Sequence, residues 1–362
     1  MADRRPLSPP PALRRAVVIG AGSFGTAIAV LLARGGVRTT LQARTPEQAA
    51  DLEQLRENTR YLPGVELPPQ LRIEVAGASI RRADYVLLAV PSAHLHEAIA
   101  GLAAAGLNRR AAIVSLSKGL VPPEGRPPTI VLSEQFGERR VGCVGGPAHA
   151  QEMVAAGAAL VCASADETLA KALSSFFQRA GVVCEPSSDP IGVEIAGAAK
   201  NAAALAAGAT QREGLNAAGA AAGHIVLEAW RYAETLGGRA DTFIGLAGTG
   251  DLVATALAPQ SRNRRAGELL GDGVVGSEIP ERVGQAVESL EAVPLLAAAY
   301  SRAGVDAPIT GGLARLISGE LPMDDWVALV RTTTPASTGW GAARRATLAE
   351  RWRAWRAERT QR

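Results

Sequence analysis

The sequence is short of the features that mark several classes of protein. Its three cysteines are far apart and form no CxxC pair, so we predict free, buried thiols in a reducing compartment. The N-terminal segment has no apolar run of the kind that a secretory signal needs. No stretch of about 18 uninterrupted apolar residues is available to span a membrane. These absences favour a cytoplasmic protein without a transmembrane segment.

Excess charge of one sign is also missing, because the net charge is only +3 and the basic residues are dispersed. We therefore expect no nucleic-acid partner, while a local basic site for a phosphorylated small molecule stays open. His94 and His96 form an HxH pair, but no Cys or acidic cluster completes a metal site around them. We expect no metal and assign these histidines a structural or capping role.

The chain of 362 residues, with an apolar fraction of 47%, is long enough for two domains that each have a core. In its first half, short apolar runs alternate with helical segments, which predicts an α/β Rossmann domain with a doubly wound, mostly parallel sheet. The predicted strands cover residues 16–20, 37–42, 85–90, 111–116, 141–144 and 159–162.

The pattern changes near residues 186–190, and helical segments dominate from there on, which predicts an all-α C-terminal domain. The predicted helices cover residues 192–208, 217–236, 264–270, 283–303 and 323–332. The expected division is a disordered leader (1–13), a dinucleotide-binding domain (14–189), a helical substrate domain (190–335) and a basic C-terminal tail (336–362).

A GxGxxG motif, GAGSFG, directly follows the first predicted strand and directly precedes a helix. Gly20, Gly22 and Gly25 permit a tight turn and a close approach of the backbone to a pyrophosphate, and the helix N-terminus supplies free N–H groups. In this context the motif predicts dinucleotide binding. The alternative is a glycine-rich packing turn.

The second predicted strand ends in Gln42-Ala43-Arg44 and lacks the acidic residue that would bind the ribose 2′-hydroxyl of NAD. Arg44 could instead pair with the 2′-phosphate of NADP. The sequence therefore favours NADPH, with NADH as the other candidate. The alternative for Arg44 is a solvated arginine at a strand end.

Two lysines occupy unusual positions. Lys118 follows a buried strand at its carboxyl end, where ligands bind in open parallel sheets. Lys200 lies with Asn201 in the middle of a long Ala/Gly helix, where an unpaired ammonium would be very unfavourable. A lysine with a lowered pKa can carry the proton in a carbonyl reduction. The alternatives are surface exposure for Lys118 and snorkelling to solvent for Lys200.

A glycine-rich loop over residues 245–251 ends in the carboxylate of Asp251, and the segment SRNRR over residues 261–265 opens a helix. Arginine, asparagine and hydroxyl groups at a helix N-terminus can bind a phosphate. Taken alone, SRNRR is more often a solvated basic turn. Together with the two lysines it becomes a candidate binding site.

These elements together resemble the soluble, bacterial-type NAD(P)-dependent glycerol-3-phosphate dehydrogenases over residues 15–335. The matching stretches are GAGSFGTAIA (20–29), NTRYLPGVELP (58–68), AVPS (89–92), SKGL (117–120), GGPAHAQEM (145–153), GVEIAGAAKNAAALAAGA (192–209), FIGLAGTGDLVAT (243–255), SRNRRAG (261–267) and GQAVES (284–289). The resemblance implies reversible reduction of dihydroxyacetone phosphate to sn-glycerol 3-phosphate for phospholipid synthesis.

The resemblance also implies roles for individual residues. The coenzyme contacts, besides the three glycines, would be Ser23, Phe24, Arg44, Lys118, Ala150, Arg262, Ala286 and Glu288. The substrate contacts would be Lys118, Gly146, Ala148, Lys200, Asp251, Thr255, Ser261, Arg262 and Asn263. Lys200 would carry the proton, with Lys118, Asp251 and Asn201 around the reacting carbon.

Two departures from the family pattern bear on the substrate. Ala148 stands where the family usually has Ser or Thr, and Gly223-His224 replaces a Thr-Arg pair. A dehydrogenase for another small phosphorylated or carboxylated substrate is therefore the second hypothesis. A non-catalytic NAD(P)-binding regulator is the third, although a sensor would need neither Lys118 nor Lys200. A homodimer is a possible assembly.

Overall fold

The computed structural model describes residues 14–75, 77–258, 261–285 and 287–334. The predicted leader, the predicted basic tail and Ala286 lie outside these residues. Within them, a strand-rich part comes first and a helical part follows. None of the described helices is long and apolar enough to cross a lipid bilayer.

Eight of the strands form one sheet, and two more form a small hairpin. The strands are β1 Arg15–Ile19, β2 Arg38–Gln42, β3 Glu57–Asn58, β4 Leu62–Glu66, β5 Arg72–Glu74, β6 Tyr85–Leu88, β7 Ala112–Ser115, β8 Val141–Gly145, β9 Ala159–Ala163 and β10 Val183–Ser187. The order in the large sheet is β10-β9-β8-β7-β6-β1-β2-β5. Its pairs are parallel except for β8 and β9, which are antiparallel.

The predicted doubly wound, mostly parallel sheet is confirmed, and the six predicted strands are β1, β2 and β6 to β9. The sequence interpretation missed the β3–β4 hairpin and the two edge strands, β5 and β10. β10 contains Pro186 and exposes Val183, so it lacks the buried apolar run by which the inner strands were recognised. Edge strands pair on one side only and tolerate such residues.

The helices of the described residues lie on the sheet in the first part and pack on each other in the second. They are α1 Ser23–Arg34, α2 Pro46–Leu55, α3 Leu95–Ala104, α4 Pro128–Phe136, α5 Ala150–Ala156, α6 Glu167–Arg179, α7 Pro190–Ala209, α8 Leu215–Thr235, α9 Ala240–Ile244, α10 Asp251–Leu257, α11 Arg262–Gly271, α12 Ile279–Val283, α13 Glu288–Arg302, α14 Pro308–Ser318 and α15 Met323–Thr332. The last strand ends at Ser187 and α7 begins at Pro190. The domain boundary near residue 190 remains our proposal.

The predicted helix over residues 283–303 is wrong at its N-terminal end. Gly284 adopts a φ of 75° and ends α12, and the next helix, α13, begins only at Glu288. A left-handed glycine satisfies the last carbonyl groups of a helix at no steric cost. The break places Glu288 at a helix N-terminus.

Helix α7 lies at the centre of the helical part, packed between α8 and α11. Its alanines and glycines are almost all buried. A Cβ atom on Gly208 would lie 2.2 Å from the carbonyl oxygen of Arg264 in α11, and one on Gly267 would lie 2.0 Å from the carbonyl oxygen of Leu205. The small residues therefore let the α7 and α11 backbones touch. This contact brings the C-terminal turns of α7 against the first half of α11.

The expectation of three free cysteines is wrong. Cys143 is free and buried, whereas Cys162 on β9 and Cys184 on β10 form a disulfide with a Cα–Cα distance of 6.2 Å. The two strands are parallel neighbours, and Cys184 pairs with Leu160, two residues from Cys162. This register places both side chains on the same face of the sheet. A separation of 22 residues in sequence gave no sign of it.

Candidate active site

The glycine turn between β1 and α1 has the shape that a pyrophosphate needs. A Cβ atom on Gly20, whose φ is 109°, would lie 2.4 Å from the carbonyl oxygen of Ala89, and one on Gly25 would lie 2.1 Å from that of Gly20. A Cβ atom on Gly22 would meet nothing within 4 Å. Two glycines therefore pack the turn, and the middle one borders open space at the start of α1. These residues fit a dinucleotide.

The rim of the turn carries Arg44, which is exposed. Its backbone N–H donates to Oε1 of Gln48, and Nε2 of Gln48 donates to the carbonyl oxygen of Ala21. The end of β2 is thereby tied to the glycine turn. At the other side of the turn, the ring of Phe24 lies 5.8 Å from Nζ of Lys118, which links the dinucleotide turn to the first of the two lysines.

One buried carboxylate holds both lysines. Nζ of Lys118 donates to Oδ2 of Asp251 at 2.8 Å, and Nζ of Lys200 lies 3.1 Å from Oδ1 of the same side chain. Lys118 also donates to the carbonyl oxygen of Gly146 at 3.1 Å. Asp251 starts α10 and follows a π-helical turn, Leu246–Gly250, of the kind found often at functional sites. The three charged groups reach one place from the sheet, from α7 and from α10.

Lys200 is held on two sides. Besides Asp251, its Nζ donates to Oγ1 of Thr255 at 3.1 Å, and that hydroxyl donates to the carbonyl oxygen of Asp251. Burial lowers the pKa of Lys200 to about 8, and the positive charge of Lys118 acts in the same direction, while Asp251 opposes both. An ammonium with such a pKa can give up its proton near neutral pH.

Asn201 connects α7 to α11 and α13. Its Nδ2 donates to Oε2 of Glu288 at 3.3 Å, and its Oδ1 accepts from Nδ2 of Asn263 at 2.9 Å. Oδ1 of Asn263 accepts from the backbone N–H of Ser289. Because Asn201 also donates to the carbonyl oxygen of Lys118 at 3.5 Å, this network orders the backbone beside that lysine.

The SRNRR segment forms the first turn of α11, as the sequence predicted. The hydroxyl of Ser261 accepts the backbone N–H of Arg264 and so caps the helix. Arg262 is exposed at the first helical position, and its Nη1 donates to Oε1 of Gln285 at 3.3 Å. Asn263 is the member of the segment that reaches the Asn201 network. A basic helix N-terminus therefore lies next to the two lysines.

The remaining predicted contacts lie on the loop after β8. Gly146 has a φ of 102°, and its carbonyl oxygen faces Lys118. Ala148 and Ala150 are half-buried against the core of the sheet domain, near the start of α5. Ser23 begins α1 beside Phe24. The roles given to these residues remain predictions.

Two histidines have neighbours outside this cluster. His94 is exposed, and its Nδ1 lies 3.4 Å from the carboxylate of Glu97. His224 is half-buried on α8, where it acts electrostatically on Glu228, one helical turn further on. Glu228 accepts the backbone N–H groups of Ile309 and Thr310 at the start of α14. The structure therefore places His224 beside a helix-capping carboxylate.

Sequence reasoning missed two acidic groups. Glu194 is buried in α7 and accepts the backbone N–H and the hydroxyl of Thr129 at the start of α4. Glu74 ends β5 and bonds to Gln42 at the end of β2. Glu194 could have been found by the argument used for Lys200, since it is an ionisable residue in the same apolar helix. Glu74 carried no such signal, because β5 was not recognised.

The scarcity of lysine is a signal that could have singled out the site. Only three of the 38 basic residues are lysines, and two of these, Lys118 and Lys200, share Asp251. Arginine keeps its proton in proteins, whereas a buried lysine can release one. A buried lysine is therefore better suited than an arginine to a role in proton transfer.

Comparison with known proteins identifies the family of the chain. Two models for NAD-dependent glycerol-3-phosphate dehydrogenase match the chain, the N-terminal one over residues 15–170 and the C-terminal one over residues 189–328. The chain belongs to this family. A relative from Deinococcus radiodurans named glycerol-3-phosphate dehydrogenase [NAD(P)+] is 40% identical, and the match covers 84% of this chain and 90% of the relative. A relative of the same name from Thermus thermophilus is also 40% identical, and the match covers 83% of this chain and 93% of the relative.

Solved structures agree with the fold. The glycerol-3-phosphate dehydrogenase of Coxiella burnetii superposes with a TM-score of 0.82 at 30% identity and covers 88% of this chain and 99% of its own. A ketopantoate reductase from Ralstonia eutropha shares the fold at 20% identity, with a TM-score of 0.56 over 86% of this chain and 99% of its own. The predicted order of a Rossmann domain and a helical domain is confirmed.

Proposed function

We propose that the chain catalyses the reversible reduction of dihydroxyacetone phosphate to sn-glycerol 3-phosphate with NADPH or NADH. The observation that carries the proposal is the convergence of Lys118 and Lys200 on Asp251, between a dinucleotide turn and a basic helix N-terminus. Family membership and the names of the relatives support the same activity. The product would serve the acylation steps of glycerophospholipid synthesis.

The glycine turn would hold a nicotinamide coenzyme, which when bound would supply the hydride for C2 of the substrate. Lys200 donates a proton to the C2 oxygen as the carbonyl becomes an alcohol, and solvent then recharges the lysine. Its lowered pKa of about 8 suits this transfer. Lys118 adds positive charge near the same oxygen, and Asp251 keeps both ammonium groups in place.

The substrate phosphate binds at the start of α11 in this proposal. Arg262 supplies charge, Asn263 supplies an amide and the helix N-terminus supplies the positive end of its dipole. Ser261 contributes by capping that turn. Anchoring the phosphate there leaves C2 beside the lysines, so that the reaction becomes effectively intramolecular.

The turn over Gly20, Gly22 and Gly25 would bind the coenzyme pyrophosphate, and Arg44 would contact the adenosine end. We propose NADPH as the favoured coenzyme, because Arg44 can pair with a 2′-phosphate and β2 itself ends without an acid. Glu288 would act near the nicotinamide side, since Asn201 links it to the backbone of Lys118.

The test is an assay of the purified full chain with dihydroxyacetone phosphate and either reduced coenzyme. The assay follows the loss of absorbance of the reduced coenzyme and identifies the product. We expect turnover with dihydroxyacetone phosphate to exceed turnover with a panel of 2-keto acids. Faster oxidation of coenzyme with another substrate would overturn the assignment. Coenzyme binding without any turnover would instead favour a regulator.

We place this activity in the cytoplasm and propose a homodimer as the assembly. The exposed apolar side chains of Leu215 and Ile244, on α8 and α9, motivate the homodimer proposal. Light scattering of the purified chain tests this proposal, and a mass equal to one chain at micromolar concentration would overturn it.

A further inference from the structure

A carboxylate lies beside the end of β2, although β2 itself has none. β5 pairs with β2 in parallel, and Glu74 is the register partner of Gln42. The backbone N–H of Ala43 donates to the carbonyl oxygen of Glu74 at 2.9 Å. Glu74 therefore lies two residues away from Arg44 across the strand pair. The neighbouring strand supplies the acid that the second strand lacks.

The side chain of Glu74 is held in place. Nε2 of Gln42, a nearly fully buried residue, donates to Oε1 of Glu74 at 2.9 Å. The hydroxyl of Ser79 donates to the same oxygen. A Cβ atom on Gly77 would lie 3.1 Å from the carboxyl group, so the loop after β5 lies directly over it. Among the described residues, the other oxygen, Oε2, accepts no hydrogen bond.

This cluster borders the dinucleotide turn. The backbone N–H of Gly20 donates to the carbonyl oxygen of Gln42 at 3.0 Å. In Rossmann folds, the residue at the end of the second strand meets the adenosine ribose of the coenzyme. Glu74 and Arg44 therefore bring opposite charges to the rim where the 2′-hydroxyl of NADH or the 2′-phosphate of NADPH would lie.

We infer that Glu74, held by Gln42 and Ser79, is a specificity-determining residue that acts against Arg44 in the choice of coenzyme. A carboxylate accepts hydrogen bonds from a ribose diol and repels a phosphate, whereas Arg44 attracts the phosphate. The inference rests on the coenzyme binding of the proposed function and not on the substrate. Its consequence is that the chain accepts both coenzymes instead of NADPH alone.

The test is direct titration of the full chain with NADH and with NADPH, followed by coenzyme fluorescence without substrate. Glu74→Gln removes the charge and keeps the size, and we expect it to shift the ratio of the two Kd values about tenfold toward NADPH. The shift should shrink at high salt, because dissolved ions partly screen the half-buried charge of Glu74. Glu185→Gln makes the same charge change on β10, at the opposite edge of the sheet, and should leave the ratio unchanged.

Equal changes in both Kd values for Glu74→Gln, or a ratio shift no larger than that of Glu185→Gln, would overturn the inference. If the glutamine variant does not fold, Glu74→Thr offers a neutral β-branched residue suited to a strand and should shift the ratio in the same direction. Because the readout is binding, a shifted ratio in a chain that fails to reduce dihydroxyacetone phosphate would refute the proposed function alone.

Discussion

Lys118 of the sheet domain and Asp251 of the helical domain are joined by a hydrogen bond of 2.8 Å between Nζ and Oδ2. The residues are 133 positions apart in sequence. The same carboxylate contacts Lys200, so a single buried acid offsets two ammonium groups that would otherwise repel each other. The contact also joins the two domains at the site.

Asp251→Asn removes that counter-charge while it keeps the shape of the side chain. The pKa of Lys200 should fall further below its value of about 8, because Asp251 raises this pKa more than Glu288 does. We expect the alkaline limb of the kcat profile for reduction to move down by about one pH unit or more. Asp241→Asn, an exposed change nearby, is the control. An unmoved limb would show that Asp251 does not set this pKa.

Lys200→Ala tests the proton transfer. A well-placed general acid contributes about 10²- to 10⁴-fold to the rate, so kcat should fall by that order while the Kd of NADPH stays nearly unchanged. In the wild type, reduction should slow as the pH rises through about 8, where Lys200 loses its proton. Lys171→Ala, at an exposed lysine of α6, should leave kcat unchanged. A Lys200→Ala variant with altered KM and intact kcat would mean that Lys200 is not the proton donor, and Lys118 would become the next candidate for that role.

Arg262→Ala tests the phosphate site. The contact exists in both the ground state and the transition state, so its loss should mainly raise KM for dihydroxyacetone phosphate, by about ten- to hundredfold. Arg265→Ala removes an exposed arginine from the same turn and serves as the control. A fall in kcat at constant KM would place Arg262 at the reacting carbon instead of at the phosphate.

Arg44→Ala tests the coenzyme contact from the side opposite to Glu74. Loss of the guanidinium should weaken NADPH binding more than NADH binding, because only NADPH has a 2′-phosphate to pair with. Fluorescence titration with both coenzymes measures the difference. Arg38→Ala, at the exposed start of β2, is the matched control. Equal weakening of both coenzymes would show that Arg44 does not contact the 2′-phosphate.

Glu194→Gln tests the buried cap on α4. Burial raises the pKa of Glu194 from 4.5 to about 8, although Thr129 donates to it. Because the folded-state pKa is the higher one, the stability this carboxyl adds is complete below about pH 4.5 and is lost as the pH rises through about 8. Glutamine cannot ionise, so the unfolding free energy of the variant relative to that of the wild type should rise with pH, by an amount on the order of a few kcal/mol.

Urea unfolding of Glu194→Gln and wild type at pH 6 and pH 9 measures this gain. Glu234→Gln on the exposed side of α8 is the control and should show no such trend. A difference in unfolding free energy that is the same at both pH values would mean that Glu194 is ionised throughout, as a charged cap of α4.

The sequence alone determined the two-domain order, the dinucleotide turn and the two lysines. Each of these leaves a local trace. The GxGxxG motif lies between a strand and a helix, and Lys200 interrupts a helix made mostly of alanine and glycine, which are readily buried. Local patterns of this kind are fixed by backbone geometry and solvation, so they can be recognised without any knowledge of distant contacts.

Only the tertiary structure decided which distant groups meet. Family resemblance placed Asp251 near the two lysines, but no local pattern did, and its direct contacts with Lys118 and Lys200 follow from the packing of α7 against α10 and the sheet. Glu74 lies beside the end of β2 because it belongs to β5, a short edge strand with no apolar pattern. Cys162 and Cys184 met through the register of two parallel strands. Strand pairing and helix packing join residues far apart in the chain, and such contacts leave no periodic signal in one sequence.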